Sequence, residues 1–377
     1  MSFKNICFFG LSVLLLMSYN SYSQGNDYYL IVGTYTNKGS DGMYVYKFNT
    51  QTGDFSAMID KTSGLKNPTF LDVAPNHKFI YAVGETQDGT VNAYGFDNKT
   101  GKLTKLNTQS AEGGSPCHIS IDKTGQWALV GNYMGGNLTV LPIQKDGTLG
   151  KPTQTINHEG KGVNTSRQEK PHVHSVNIAP NNVDVFVPDL GIDKIVSYKL
   201  NAKTGNLTVG NPAATKTANG AGPRHFTIHP NGKWAYVIQE LNYTVTAYDY
   251  ANGALKEIQT ISTLPSDYKG NNSCADIHIS ADGKFLYGSN RFYDHLVVYS
   301  IDQKTGKLTY IKNEPVLGKT PRNFMIDPSG QWVLVANQDS DNIVVFKRDA
   351  EKGTLTPTGK ELKVSMPVCL KMIKVDK

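Results

Sequence analysis

The chain has 377 residues, with 38 Lys and Arg against 32 Asp and Glu, a formal net charge of +6 at pH 7. That excess is scattered along the sequence, so the charged stripe a nucleic-acid partner requires is excluded. Val, Ile, Tyr, Thr and Gly are abundant and few segments keep a helical period, which excludes a helical domain and favours strands and turns.

The first element is a targeting segment. Lys4 provides a short basic start, Ile6 to Met17 is an apolar run, and Ser21-Tyr22-Ser23 offers small residues for cleavage before Gln24. The run is too short for a comfortable membrane span, so residues 1–23 read as a signal peptide and residues 24–377 as one exported domain, periplasmic or secreted. Cleavage leaves Cys117, Cys274 and Cys369, an odd number that rules out a full disulfide framework. Their spacing fits no zinc pattern, and each is expected to be a small buried hydrophobe.

From there a unit recurs. Outer turns of the type NTQTG, DNKTG, QKDG, NAKTG, YANG, DQKTG and DAEKG end at Gly53, Gly101, Gly147, Gly205, Gly253, Gly306 and Gly353, at intervals of 46 to 58 residues. That period marks a propeller, in which each unit buries its apolar face only against its neighbours. A second, inner series of turns falls out of phase at His77, Gly125, Asn182, Gly232, Gly283 and Gly330, one fewer than the outer series. Strand-length apolar runs flank each inner turn, and Gly and Asn there tolerate the positive φ of tight hairpins. The missing inner pair is therefore split between the chain ends. Pro367 to Val375 is expected to supply the innermost strand of the first blade, beside Tyr28 to Thr34 and then Met43 to Phe48. The fold class is all-β: a seven-bladed β-propeller with four antiparallel strands per blade, closed by its own termini. Trp127, Trp234 and Trp332, each two residues beyond an inner turn, read as packing between blades, and Asp122, Asp282 and Asp327 as turn formers.

Aligning the units on the inner turn gathers the polar residues. Eight residues before it stand Thr69, Cys117, His174, Arg224, Ala275 and Arg322, and one residue later Phe70, His118, Ser175, His225, Asp276 and Asn323. Eight residues after it stand Glu85, Tyr133, Leu190, Glu240, Arg291 and Gln338, preceded by Gly84, Asn132, Asp189, Gln239, Asn290 and Asn337. Antiparallel pairing brings the start of one strand beside the end of the next, so Arg224 and Glu240 are expected to be neighbours at one mouth of the channel. His174, Arg291 and Arg322 occupy equivalent places on other blades. Such a set suits an anionic, oxygen-rich small molecule, because the guanidinium fork matches carboxylate or phosphate. At an ester or lactone carbonyl, Glu240 would activate water, the arginines would stabilise the oxyanion, and His174 would protonate the leaving oxygen. Arg322, Asp189, Asn290, Asn337, Gln338 and His225 are the candidate substrate contacts. His118, His225 and His229 also read as buried rings satisfied by backbone groups. The long connections Ile156 to Pro171 and Thr263 to Cys274 emerge on the same face, where His158, Arg167 and Lys170 read as solvated loop charge that could rim a pocket.

These residues carry a resemblance. "GPRHFTIHPNGKWAYVIQELNYTVTAY" (Gly222 to Tyr248), "PHVHSVNIAP", "VPDLGIDKIVSY", "YGSNRFYDHLVVYS" and "TPRNFMIDPSGQWVLVANQDSDNIVVF" resemble the lactonase family of seven-bladed propellers, the 6-phosphogluconolactonase type. The opening "VGTYT" is similar to that family's first strand, and the resemblance spans the mature chain. It implies hydrolysis of a sugar lactone to the aldonic acid with no cofactor and no required metal, and it places the catalytic His, Arg, Glu and Arg on His174, Arg224, Glu240 and Arg291, with Arg322 able to take the last role. Relatives include a carboxymuconate cyclase. No protein partner is implied. An exported chain should not meet the phosphorylated cytoplasmic lactone, which leaves the reaction class standing and the phosphate open. Two other readings are a calcium-dependent propeller hydrolase using Glu85, Asn132, Asp189, Asn290 and Asn337 as oxygen ligands, and a non-catalytic binding propeller.

Overall fold

A computed structural model describes residues 26–376, so the expected leader at residues 1–23 lies outside the described residues. The chain forms seven antiparallel sheets of four strands each, arranged as blades around a central channel. Blade 1 runs Pro367–Lys374, Asp27–Thr34, Tyr44–Asn49 and Asp60–Lys61 from the channel outwards. The carboxy-terminal strand thus closes the ring, with Ile31 opposite Lys371 and Val32 opposite Leu370. Blades 2 to 7 follow in sequence, each beginning at the channel. Their inner strands are Leu71–Val73, Pro116–Ile121, Asn177–Ile178, Pro223–Ile228, Ser273–Ile279 and Pro321–Ile326.

The core is divided among the interfaces. Each apolar cluster joins two neighbouring blades: Tyr29, Ile31 and Val45 meet Ile80, Ala82 and Tyr94, and Leu129, Leu138 and Val140 meet Val185 and Val187. A blade's second strand is buried on both faces, as in Ala235, Tyr236, Val237 and Ile238, all 0 % exposed. Both turn series have the expected geometry. The inner turns have positive φ at His77, Gly125, Asn182, Gly232, Gly283 and Gly330, and the outer glycines lie between 69° and 85°.

An outer turn also leans on the blade before it. Gly205 lies over the Trp127 ring, Gly306 over Trp234 and Gly53 over Trp332. The indoles anchor in return, Trp127 Nε1 donating to Ala202 O at 2.9 Å and Trp332 Nε1 to Thr50 O at 2.8 Å. At the equivalent place in blade 4 the aromatic ring is replaced by Asp184. It accepts from Lys199 and Tyr250, and Gly253 packs against that ion pair.

Candidate active site

The inner strands carry a β-bulge where they start. The register shifts between Pro116 and His118, between Pro223 and His225, and between Pro321 and Asn323, so Cys117, Arg224 and Arg322 are the extra residues with no partner on the adjacent strand. A bulge bends its strand and re-aims a side chain. Here it frees two successive residues for the channel. Arg224 reaches the mouth, and His225 lines a deeper cavity.

At the mouth, a cavity of about 190 Å3 is lined by Glu85, Cys117, Tyr133, Arg167, His174, Glu240, Arg291 and Arg322. Glu240 is its centre and is 4 % exposed. Its Oε2 accepts from Arg224 Nε at 2.9 Å and lies 3.1 Å from Arg291 Nη2, while Oε1 accepts from Arg167 Nη2 at 2.6 Å. His174 Nε2 is 3.8 Å from Glu240 Oε2, and its Nδ1 is 3.8 Å from Cys117 Sγ. Arg224 is tied onward to Ala275 O at 2.6 Å, and Arg291 to Ser273 Oγ at 2.7 Å and Cys274 O at 2.9 Å. Arg322 differs. It has no carboxylate within ion-pair distance among the described residues, and its guanidinium stands 5.3 Å from the centre of the Tyr35 ring.

The electrostatics follow from this crowding. Burial pushes the Glu240 carboxyl up, but Arg291, Arg224 and Arg167 outweigh it and hold the pKa at about 2. Burial, with Arg291 and Arg322 close by, lowers Arg224 to about 10. His174 is held well below the usual imidazole value by burial first and then by Arg224, His225 and Arg322. The imidazole is therefore neutral at physiological pH and Glu240 is ionised. Burial raises the Cys117 thiol and lifts Cys274 and Cys369 to about 12, so all three stay protonated. All three are free and buried, as expected for small hydrophobes.

His174, Arg224, Glu240 and Arg291 are thus brought together: His174, Glu240 and Arg291 line the cavity with Arg322, and Arg224 holds Glu240 without lining it. Arg167 belongs to this set although its loop position suggested solvated charge. Other expected contacts lie elsewhere. Asp189 accepts from His172 N at 2.7 Å and Gly191 N at 3.0 Å, and its other oxygen meets His158 Nδ1 at 2.7 Å. Asn290 donates to Thr263 O at 3.2 Å and Asn337 to Val316 O at 3.3 Å, each holding the connection that enters its blade. These three side chains are 0 % exposed and turned into the scaffold rather than the cavity, which corrects their expected role as substrate contacts. Gln338 bonds Asp339 at 3.0 Å and lies outside the cavity wall. Glu85, Asn132, Asp189, Asn290 and Asn337, the oxygen donors of the calcium reading, stand on five separate blades. Among the described residues no group of three or more His, Cys, Asp or Glu is arranged to hold a metal ion.

His225 lies one layer below. Its Nδ1 is 2.7 Å from Asp276 Oδ1, its ring meets His174 edge to face at 5.6 Å, and with His118, Asp276 and Lys371 it lines a second channel cavity of about 210 Å3. The second cavity is polar and roomy enough for several ordered waters.

A model of the family described as "Lactonase, 7-bladed beta-propeller" matches residues 29–372. The chain is 39 % identical over 345 residues to 6-phosphogluconolactonase of Bacillus subtilis, covering 91 % of this chain and 97 % of that protein. It is also 39 % identical over 350 residues to 6-phosphogluconolactonase of Formosa agariphila, covering 91 % and 99 %. The solved periplasmic gluconolactonase of Pseudomonas aeruginosa superposes with a TM-score of 0.88 at 32 % identity, covering 93 % of this chain and all of that one (100 %).

Proposed function

The chain belongs to the lactonase family of seven-bladed β-propellers, and from that membership we propose that it opens a sugar lactone to the aldonic acid at the cavity around Glu240. The observation that carries the reading is one buried carboxylate bound by three guanidiniums beside a neutral imidazole. Ester opening needs a base for water, positive charge for the carbonyl oxygen, and a proton for the departing ring oxygen. Glu240 is a weak base when three arginines hold its pKa at about 2, so it serves to fix those arginines. The base falls to His174.

In this reading His174 takes a proton from water as the oxygen attacks the carbonyl carbon. Arg291 and Arg322 face the resulting oxyanion, and Arg322 has donors to spare because no carboxylate occupies them. The imidazolium, acidic because its pKa is depressed, returns the proton to the ring oxygen as the C–O bond breaks. Proton transfer of this kind is worth roughly 10²- to 10⁴-fold in rate, and a placed oxyanion donor roughly 10²- to 10³-fold. No step calls for a metal, so EDTA should leave turnover unchanged.

The leader-like start supports export, and the similarity to a periplasmic gluconolactonase agrees with it. Among the described residues no helix is long and apolar enough to cross a membrane. An exported site favours unphosphorylated aldonolactones. The test is a panel of lactones, phosphorylated and not, with acid release followed at pH 7 and spontaneous opening subtracted. Turnover of at least one aldonolactone supports the reading, and rates equal to buffer for all of them reject it.

A further inference from the structure

The cavity has a second carboxylate, and nothing in the hydrolytic scheme uses it. Glu85 lines the wall across the channel from Glu240, on blade 2 rather than blade 5. No guanidinium or ammonium lies within ion-pair distance of it among the described residues. Its two oxygens accept from neutral hydroxyls instead: Oε1 from Tyr35 OH at 3.0 Å, and Oε2 from Thr69 Oγ1. Its position is fixed through the backbone. Glu85 N donates to Asn67 O at 3.0 Å, and Asn67 Nδ2 returns a bond to Glu85 O at 3.1 Å. Tyr35 stays protonated, because burial raises its pKa to about 12 and outweighs the opposing effect of Arg322. It therefore remains a donor to Glu85 at every working pH.

A carboxylate with one hydrogen bond on each oxygen keeps a second lone pair on each. Those lone pairs belong to a group in the cavity wall, and they are acceptor-only sites that a hydroxyl satisfies and a methylene does not. We infer that Glu85, set by Tyr35 and Thr69, reads the hydroxyls of the substrate's polyol arm and so selects hydroxylated lactones over simple ones. The inference deepens the lactonase reading and rests on it. Arg322 stands beside the same wall over Tyr35 and supplies the donor that a polyol's hydroxyl oxygens accept. The pairing of a free acceptor with a free donor suits a group that both gives and takes hydrogen bonds.

Glu85→Gln tests this with two measurements. In turnover, KM for glucono-δ-lactone should rise roughly 10- to 100-fold with kcat held within a few-fold, the loss expected of charge-assisted hydrogen bonds made equally in ground and transition states. δ-Valerolactone, which has no hydroxyls, should be unaffected. In binding, the parent should hold gluconate more tightly than 5-hydroxypentanoate by titration calorimetry, and Glu85→Gln should erase that difference. An equal loss of kcat on both lactones would overturn the inference by making Glu85 part of the chemistry or of the fold. Unchanged discrimination in binding would overturn it too. If the parent opens neither lactone, the hydrolytic reading fails, and the calorimetric comparison still decides whether Glu85 reads hydroxyls.

Discussion

Glu240 keeps its charge in a nearly dry site because three guanidiniums converge on it, and that dependence can be measured. Its pKa of about 2 lies below the ordinary carboxylate value of 4.5, so the folded state releases a proton that the unfolded chain retains. The stability this contributes is present above the unfolded pKa and is lost as pH falls through 4.5 towards 2, about 3 kcal/mol in all. His174 acts in the same direction. Its lowered pKa favours the neutral ring, so its contribution is present above 6.5 and shrinks as pH falls below it. Unfolding followed across pH 7 to 3 should therefore show a steep loss of stability. Glu240→Gln should flatten the lower part of that curve and cost about 3–5 kcal/mol at neutral pH, because the buried guanidinium of Arg224 and the nearly buried one of Arg291 lose their partner. Activity should behave differently, staying level through neutrality and falling only well below pH 6.5, as His174 becomes protonated.

The same scale shows what the sequence could and could not reveal. Arg224 and Glu240 were legible as neighbours because strand pairing links them. The misplaced asparagines follow from alternation: successive strand residues face opposite sides, so where Glu240 and Arg291 turn to the channel, the residues just before them turn into the blade. Arg167 was not legible. It reaches Glu240 from a long connection whose path no periodicity describes.

At the level of the element, the turns were the most readable feature, since positive φ restricts the residue types that can occupy them. The structure adds a distinction between turns of similar sequence. Gly232 has φ +69° and nothing within 4 Å of an added Cβ, whereas at Gly306, also φ +69°, that Cβ would lie 2.5 Å from the Trp234 ring. Gly232→Ala should cost about 1–2 kcal/mol, the penalty for a left-handed alanine. Gly306→Ala should cost at least about 1–3 kcal/mol more, because the neighbouring blade must also shift. Denaturant midpoints of the two variants decide this, with kcat and KM expected to match the parent in both. The bulges were not legible, since an extra residue in a strand leaves no mark on an apolar run. They nevertheless set which residue of each pair reaches the mouth.

For the whole molecule, closure is the decisive contact. The strand Pro367–Lys374 pairs with Asp27–Thr34 and completes the ring of inner strands. Removing residues 367–377 would leave the second strand of blade 1 as an unpaired edge beside an opened channel, an invitation to association. The truncated chain should lose its cooperative unfolding transition and sediment as aggregates, while the intact chain remains uniform. The ring also explains how residues from six blades and one loop come to share one cavity. If this shared cavity opens lactones through His174, losing the imidazole must show in turnover. Acid release from glucono-δ-lactone at pH 7, corrected for spontaneous opening, compares the parent with His174→Asn most directly. Turnover should fall roughly 10²- to 10⁴-fold in the variant with the fold intact. Equal turnover by the two proteins would remove His174 from the chemistry.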